Sequence, residues 1–273
     1  MHNAAFGVLG LNAEYHLLDV PPADFSTTLA DLRLQGYGGL NITLPHKLAA
    51  YRWLLRHGTL TDHARMLQSV NTIRFPPSVS LPPEGDNTDA PGFLDALRAS
   101  FHTTVRHRRV MVLGIGGAGR ALALTCLFHG AAALAIAARK PAARRLWMNE
   151  LRRAAPGLPM EGMTFARAAR CAGDYDLIIQ ATPVGMNPGD PSLLPVSAFH
   201  KGQMVVDLVY TQAVTPFLRA ARTGGARATN GLGMLLYQGA RAFHFWTGHK
   251  APLSTMQAVL QNAYPLPHPP AAS

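Results

Sequence analysis

The chain has 273 residues, 48% of them hydrophobic and only 15% charged, a balance that suits one large or two medium domains with their own cores and excludes a largely disordered protein. Basic side chains outnumber acidic ones 25 to 15, giving a net charge of +10. With no compact Lys/Arg run, zinc spacing or helix-turn-helix signal, that excess points to anionic small ligands rather than nucleic acid.

Cys126 and Cys171 are the only cysteines and supply no disulfide framework. No apolar run reaches the roughly 18 residues that a membrane span needs, and the N-terminus carries no secretory pattern. The expectation is a cytoplasmic protein, monomeric or homodimeric, with no membrane association. The histidines show no H-x-x-x-H or H-E-x-x-H spacing, so no metal site is expected.

In chain order, His2 and Asn3 sit at a predicted helix start. Gly36 to Gly39 is a turn leading into a short strand, Leu40 to Thr43, which Pro45 stops. Lys47 follows in a loop. Val70 to Ile73 is a second short strand, and the loop Gly85-Asp86-Asn87-Thr88-Asp89 comes next. A helix is predicted from Pro91-Gly92-Phe93 through Phe101, because Leu94, Leu97 and Phe101 recur on one face. Beyond Arg108 the pattern becomes regular. Strands at Val110–Leu113, Leu134–Ala137, Leu177–Ile179 and Val205–Val209 alternate with helical stretches such as Arg120–His129. That alternation predicts a parallel, doubly wound α/β sheet. A further helix runs from Met234 to Trp246 with Gly248 as its C-cap. The tail from Pro265 is expected to fray.

Gly114-Ile115-Gly116-Gly117-Ala118-Gly119 follows a strand and opens a helix, the context that makes G-x-G-x-x-G a dinucleotide site. Gly114 permits the turn, Gly116 lets backbone approach a pyrophosphate, and Gly119 lets helix and strand pack closely. The amides around Gly117 and Ala118 then face the phosphates. An NAD site usually carries an acid about 20 residues on, for the ribose 2′-hydroxyl. Here no Asp or Glu occurs from Gly114 through Asn149. Arg139, Lys140 and Arg144 occupy that region instead and favour a 2′-phosphate, hence NADP(H).

Lysine is scarce, four residues against 21 arginines, so a loop lysine is worth noticing. Unlike arginine, a partly buried lysine can lose its proton. An aspartate close by would orient the amine and tune it, and Asp89, preceded by Asn87 and Thr88, is the candidate. Spacing alone does not bring the two together. Cys126 is read as core. Asp62 and Tyr15 are read as structural, with a place beside the site as the alternative.

Seven blocks in order resemble the shikimate dehydrogenase family, including its quinate/shikimate relatives. They are Asn41 to Lys47 (N-I-T-L-P-H-K), Ser69 to Thr72, Asn87-Thr88-Asp89, the glycine loop, Ala181 to Met186 (A-T-P-V-G-M), Asp207 to Tyr210, and Asn230 to Met234 followed by Gln238. The resemblance implies two domains: an N-terminal α/β substrate domain (1–92 plus 232–273) and a Rossmann-type NADP-binding domain (93–231), with a C-terminal helix returning to the first. It implies Lys47 and Asp89 as the catalytic pair, and Thr43, Asn71, Asn87, Tyr210 and Gln238 as substrate ligands. Thr182, Gly185, Met186, Gly231 and Met234 would lie on the nicotinamide side.

The implied reaction is reversible NADPH-dependent reduction of 3-dehydroshikimate to shikimate, a cyclohexene carboxylate. Quinate or aminoshikimate dehydrogenation and a catalytically weak NADP-binding paralogue are the alternatives. Where the family commonly reads N-R-T this chain has Ala138-Arg139-Lys140, losing one amide and gaining a charge. The family's opening strand and Ser-x-Ser carboxylate clamp have no counterpart before Met1-His2-Asn3. The expectation is therefore that the natural start lies upstream or that other groups bind the carboxylate.

Overall fold

The computed structural model describes residues 1–187 and 189–264, so the tail from Pro265, where fraying was expected, lies outside the described residues. Two compact units emerge. One comprises Met1–Phe93 with Leu235–Val259; the other comprises Leu94–Met234 and takes up the chain again from Leu260.

The first unit is built on a small mixed sheet. Its elements are α1 (His2–Val8), α2 (Phe25–Leu34), β1 (Gly39–Asn41), α3 (Lys47–His57), β2 (Thr59–Leu60), α4 (Asp62–Leu67), β3 (Thr72–Arg74), β4 (Glu84–Asp86) and the start of α5 (Asp89–Phe101). The strand order is β1-β3-β4-β2, antiparallel except for the β2–β4 pair. Phe25, Leu29, Leu54, Val70, Ile73 and Phe75 form its core. Helix α1 lies against the later helix α10 (Leu232–Thr247), with Phe6 on Phe243 at 5.3 Å between ring centroids. His2 stacks on Tyr15 at 4.7 Å, and burial pushes its imidazole down to about 4. Gly39 is a glycine for steric reasons: a Cβ there would sit 2.4 Å from the Trp246 ring.

Strand and helix ends shift by one to three residues from the sequence reading, and two of the differences bear on the candidate site. Lys47 is the first residue of helix α3, not a loop residue. Asp89 opens α5, which begins two residues before the predicted Pro91. Pro91 is tolerated because it falls in the first turn, where backbone N–H groups have no intrahelical partner. Asn87 favours the early start, its Oδ1 accepting from the Asp89 and Ala90 amides at 3.1 and 3.4 Å.

The second unit contains β5 (Arg109–Leu113), α6 (Gly117–Phe128), β6 (Ala133–Ala137), α7 (Pro141–Ala154), β7 (Met160–Met163), α8 (Phe165–Cys171), β8 (Leu177–Gln180), β9 (Met204–Asp207), α9 (Pro216–Thr223) and β10 (Arg227–Asn230); α11 (Leu253–Ala263) belongs to the first unit up to Val259 and to the second from Leu260. All six strands are parallel, in the order β10-β9-β8-β5-β6-β7. The chain starts in the middle at β5, winds one way through β6 and β7, then returns to β8, β9 and β10 on the other side. This is the doubly wound order, with its switch point between β5 and β8. Every residue of β6, β8 and β9 is buried, as expected for strands covered on both faces.

Strands β7 and β10 escaped the sequence reading because they are edges. Met-Glu-Gly-Met and Arg-Ala-Thr-Asn lack the apolar runs of the central strands. Gly248 closes α10 as predicted, with φ of +71° and its amide donating to the His244 carbonyl at 2.8 Å. Cys126 is fully buried, and its thiol is pushed up to about 12 by desolvation. Among the described residues, no helix is long and apolar enough to cross a membrane.

Candidate functional site

In the first unit, the small sheet and two helix starts converge on one ion pair. Lys47 Nζ lies 2.6 Å from Asp89 Oδ2 although 42 residues separate them. The Val70 amide donates to the Lys47 carbonyl at 3.1 Å, which sets the base of the lysine beside the segment entering β3. Asp89 projects from the first turn of α5, where the helix dipole favours negative charge. Its other oxygen, Oδ1, accepts from Asn71 Nδ2 at 2.9 Å. Asn71 is itself fixed: its Oδ1 accepts from the Thr88 amide at 2.8 Å, and its Nδ2 also reaches Thr88 Oγ1 at 3.0 Å. With side-chain exposures of 24% for Lys47 and 15% for Asp89, the pair is shielded but reachable from solvent. That is what a group exchanging protons with a ligand needs.

The remaining four substrate candidates fall in different settings. Asn87 is fully buried, with Nδ2 on the Ser69 carbonyl at 3.1 Å and Oδ1 on the helix amides; its side chain is engaged in holding the loop. Thr43 is exposed, and its carbonyl takes the His46 amide at 2.9 Å. Gln238 is half-buried on α10, where its backbone crosses α5 at Gly92 so closely that a Cβ there would lie 2.6 Å from the Gln238 nitrogen. Gly92 is one turn along α5 from Asp89. Tyr210 belongs to the second unit, edge-on to Tyr264 at 5.3 Å, with burial raising its phenol. Of the two residues read as structural, Asp62 is exposed at the start of α4, while Tyr15 is partly buried and hydrogen-bonded to Asn41.

In the second unit, the glycine loop joins β5 to α6 at the carboxyl edge of the sheet. Gly114 has φ of +108°, and a Cβ on it would meet Thr182 and Ala181 at 2.8 and 2.9 Å. On Gly119 a Cβ would come within 2.2 Å of the Gly114 carbonyl oxygen, so this glycine lets the helix close onto the loop. Gly116 is different: nothing lies within 4 Å of where its Cβ would be. The chain leaves that space open in front of α6, whose N-cap Gly116 supplies no side-chain hydrogen bond to the first amides. Gly117 and Ala118 are likewise exposed. Exposed Arg139 and Lys140 stand at the end of β6. Arg144 is half-buried, with one guanidinium nitrogen on the Ala138 carbonyl at 2.7 Å. Open space, free amides and three cations fit a phosphorylated dinucleotide.

The 181–186 loop is anchored by residues to which the sequence reading gave no role. The anchors are Gln180 and Asp207, the carboxyl-terminal residues of β8 and β9, which lie in register. Gln180 Nε2 donates to the Val184 carbonyl at 2.7 Å and to Asp207 Oδ1 at 3.1 Å, while its Oε1 accepts from the Thr182 amide. Asp207 also accepts from the Val209 amide at 3.0 Å and from the Thr215 hydroxyl. Desolvation pushes the Asp207 carboxyl up to about 6 despite those donors, so the cost of burial wins. Gly185, with φ of +101°, donates its amide to Asp190 Oδ2 at 2.8 Å. Met186 is 50% exposed. Gly231 permits the turn into α10, since a Cβ would lie 2.3 Å from the Leu208 carbonyl oxygen, and Met234 is half-buried one turn further. A usable sequence signal existed: polar residues ending otherwise apolar parallel strands.

Residues 1–73 match the family described as shikimate dehydrogenase substrate binding domain, and residues 231–261 match the shikimate 5′-dehydrogenase C-terminal domain. The chain is 38% identical to the shikimate dehydrogenase (NADP(+)) of Methanopyrus kandleri, covering 96% of this chain and 90% of that one. The Geobacillus kaustophilus enzyme of the same name is 35% identical, with 96% and 92% covered. Among solved structures, shikimate 5-dehydrogenase from Thermus thermophilus in complex with NADP(H) and shikimate superposes with a TM-score of 0.80 at 34% identity, over 96% of this chain and 92% of that one. Quinate dehydrogenase from Corynebacterium glutamicum in complex with NAD gives a TM-score of 0.85 at 27% identity, over 96% and 92%.

Proposed function

We infer the activity from one premise: the chain belongs to the shikimate dehydrogenase family. The reading is NADPH-dependent, reversible reduction of the ring ketone of 3-dehydroshikimate to the hydroxyl of shikimate. The observation that carries it is the Lys47–Asp89 pair at 2.6 Å, with the second carboxylate oxygen pinned by Asn71.

When bound, NADPH supplies a hydride for the ketone carbon. Gly116, Gly117 and Ala118 would offer backbone to its pyrophosphate, and Arg139, Lys140 and Arg144 would hold the 2′-phosphate. Thr182, Gly185, Met186, Gly231 and Met234 would border its nicotinamide end. Lys47 Nζ, as an ammonium, donates the proton that the ketone oxygen gains; in the reverse direction the amine takes it from the hydroxyl. Asp89 keeps Nζ oriented and balances its charge. Thr43, Asn71, Tyr210 and Gln238 would contact the substrate's polar groups. Asn87 acts one step back, by fixing the start of α5.

Following NADPH absorbance with 3-dehydroshikimate and 3-dehydroquinate side by side tests the reading. Turnover of the first at a higher kcat/KM supports it, and preference for the second moves the protein to the quinate branch. No turnover of either would leave only NADP binding.

A further inference from the structure

A line of side-chain hydrogen bonds crosses the first unit and ends on the catalytic carboxylate. The Tyr15 hydroxyl lies 3.3 Å from Asn41 Oδ1. Asn41 Nδ2 donates to Thr72 Oγ1 at 3.2 Å. Thr72 Oγ1 donates to Asn71 Oδ1 at 3.0 Å, and Asn71 Nδ2 donates to Asp89 Oδ1 at 2.9 Å. Lys47 holds the opposite oxygen of that carboxylate. Asn41 and Thr72 face each other in the β1–β3 register, so the sheet itself sets this spacing.

The orientation of the two amides in the line is fixed by backbone groups. Asn71 Oδ1 must accept because the Thr88 amide points at it at 2.8 Å. Its nitrogen therefore faces Asp89. Asn41 Nδ2 must donate because it also reaches the Asn71 carbonyl at 3.3 Å. Its oxygen therefore faces Tyr15, whose hydroxyl can only donate there. Tyr15 is seated in turn by Asn3, which bonds its amide at 2.6 Å and its carbonyl at 3.1 Å. Thr72 Oγ1 also lies 3.2 Å from Thr88 Oγ1, which itself reaches Asn71 Oδ1 at 3.2 Å, so the line passes from Thr72 to Asn71 directly or through Thr88 and ends on Asp89 either way, an arrangement in which successive hydrogen bonds polarise one another. Thr72 is wholly buried, so water does not replace its hydroxyl.

We propose that Tyr15, Asn41 and Thr72 are positioning residues for the reaction: their chain of hydrogen bonds locks the Asn71 amide, and through it the carboxylate plane of Asp89, so that Oδ2 aims at Lys47 Nζ. This rests on the Lys47–Asp89 reading and deepens it.

The test compares kcat and KM of Thr72→Val, Thr72→Ser and Tyr15→Phe at saturating NADPH over a range of substrate concentrations. Thr72→Val is expected to lower kcat about three- to tenfold, the worth of one net hydrogen bond, with KM within about twofold. Thr72→Ser restores the hydroxyl and should restore most of kcat. Tyr15→Phe, at the more accessible end, should show a smaller loss of the same kind and keeps the test open should Thr72→Val fail to fold. A purely structural role would lower melting temperature while leaving kcat per folded enzyme unchanged. That outcome, a wild-type kcat in Thr72→Val or Tyr15→Phe, or a Thr72→Ser no better than Thr72→Val, overturns the proposal. Lys47→Ala in the same series separates the two levels. If it turns over normally, the underlying pair is wrong; if it is inactive while the relay variants match wild type, only the relay is wrong.

Discussion

The two units make their candidate sites from different material. In the second, the candidate phosphate cradle is backbone: glycines at Gly114, Gly116 and Gly119, and the first amides of α6. In the first, the candidate proton pair is side chain throughout, Lys47 and Asp89 held by Asn71 and its neighbours on β1, β3 and α5. A backbone site tolerates almost any side chain that does not fill it, whereas a side-chain site depends on each atom in the line. Asp207 is the exception in the second unit, a buried carboxylate that holds the 181–186 loop through Gln180.

The largest effect should come from the side-chain site. Lys47→Ala is expected to lower kcat by roughly 10²–10⁴ while leaving NADPH affinity, measured by fluorescence titration, near wild type. Equal loss of affinity would break the separation between the units.

Next is Asp207. Its folded-state value, about 6, lies above the ordinary 3.8, so its stabilising contribution is complete below about 3.8 and is lost as pH rises to about 6. The gap corresponds to roughly 3 kcal/mol. Denaturant midpoints of wild type and Asp207→Asn between pH 4 and 7 should show that amount lost from wild type relative to the variant as pH rises. Parallel curves would mean the carboxyl is not desolvated as the structure has it.

A pair of glycine variants sharpens the backbone side of the comparison. Gly119→Ala drives a methyl against the Gly114 carbonyl and should cost about 1–3 kcal/mol of stability, as overpacking does. Gly116→Ala meets nothing in the chain and should fold like wild type, yet lose about tenfold in NADPH affinity because a pyrophosphate needs that space. Calorimetry separates the two. An effect of the same size is expected at Arg139: Arg139→Ala should cut the preference for NADPH over NADH about tenfold, the loss of one charge-assisted contact. An unchanged preference would hand the 2′-phosphate to Lys140 and Arg144.

The amino-acid order alone determined the glycine loop, the central strands β5, β6, β8 and β9 and the cofactor class, and it singled out Lys47 and Asp89 as candidates. These signals are local: a turn that only glycine allows, a run of apolar residues buried on both faces, a missing acid where NAD would need one. Edge strands β7 and β10 were lost because half-exposed strands carry no such run. Tertiary structure alone decided that Lys47 and Asp89 open helices instead of closing loops, and that they touch. It also decided that Asn87 serves its loop, that Gln180 and Asp207 anchor another, and that Tyr15, Asn41 and Thr72 line up behind Asn71. Each of those depends on the register between strands far apart in the chain, and hydrogen bonds act over about 3 Å, a distance that sequence spacing does not encode.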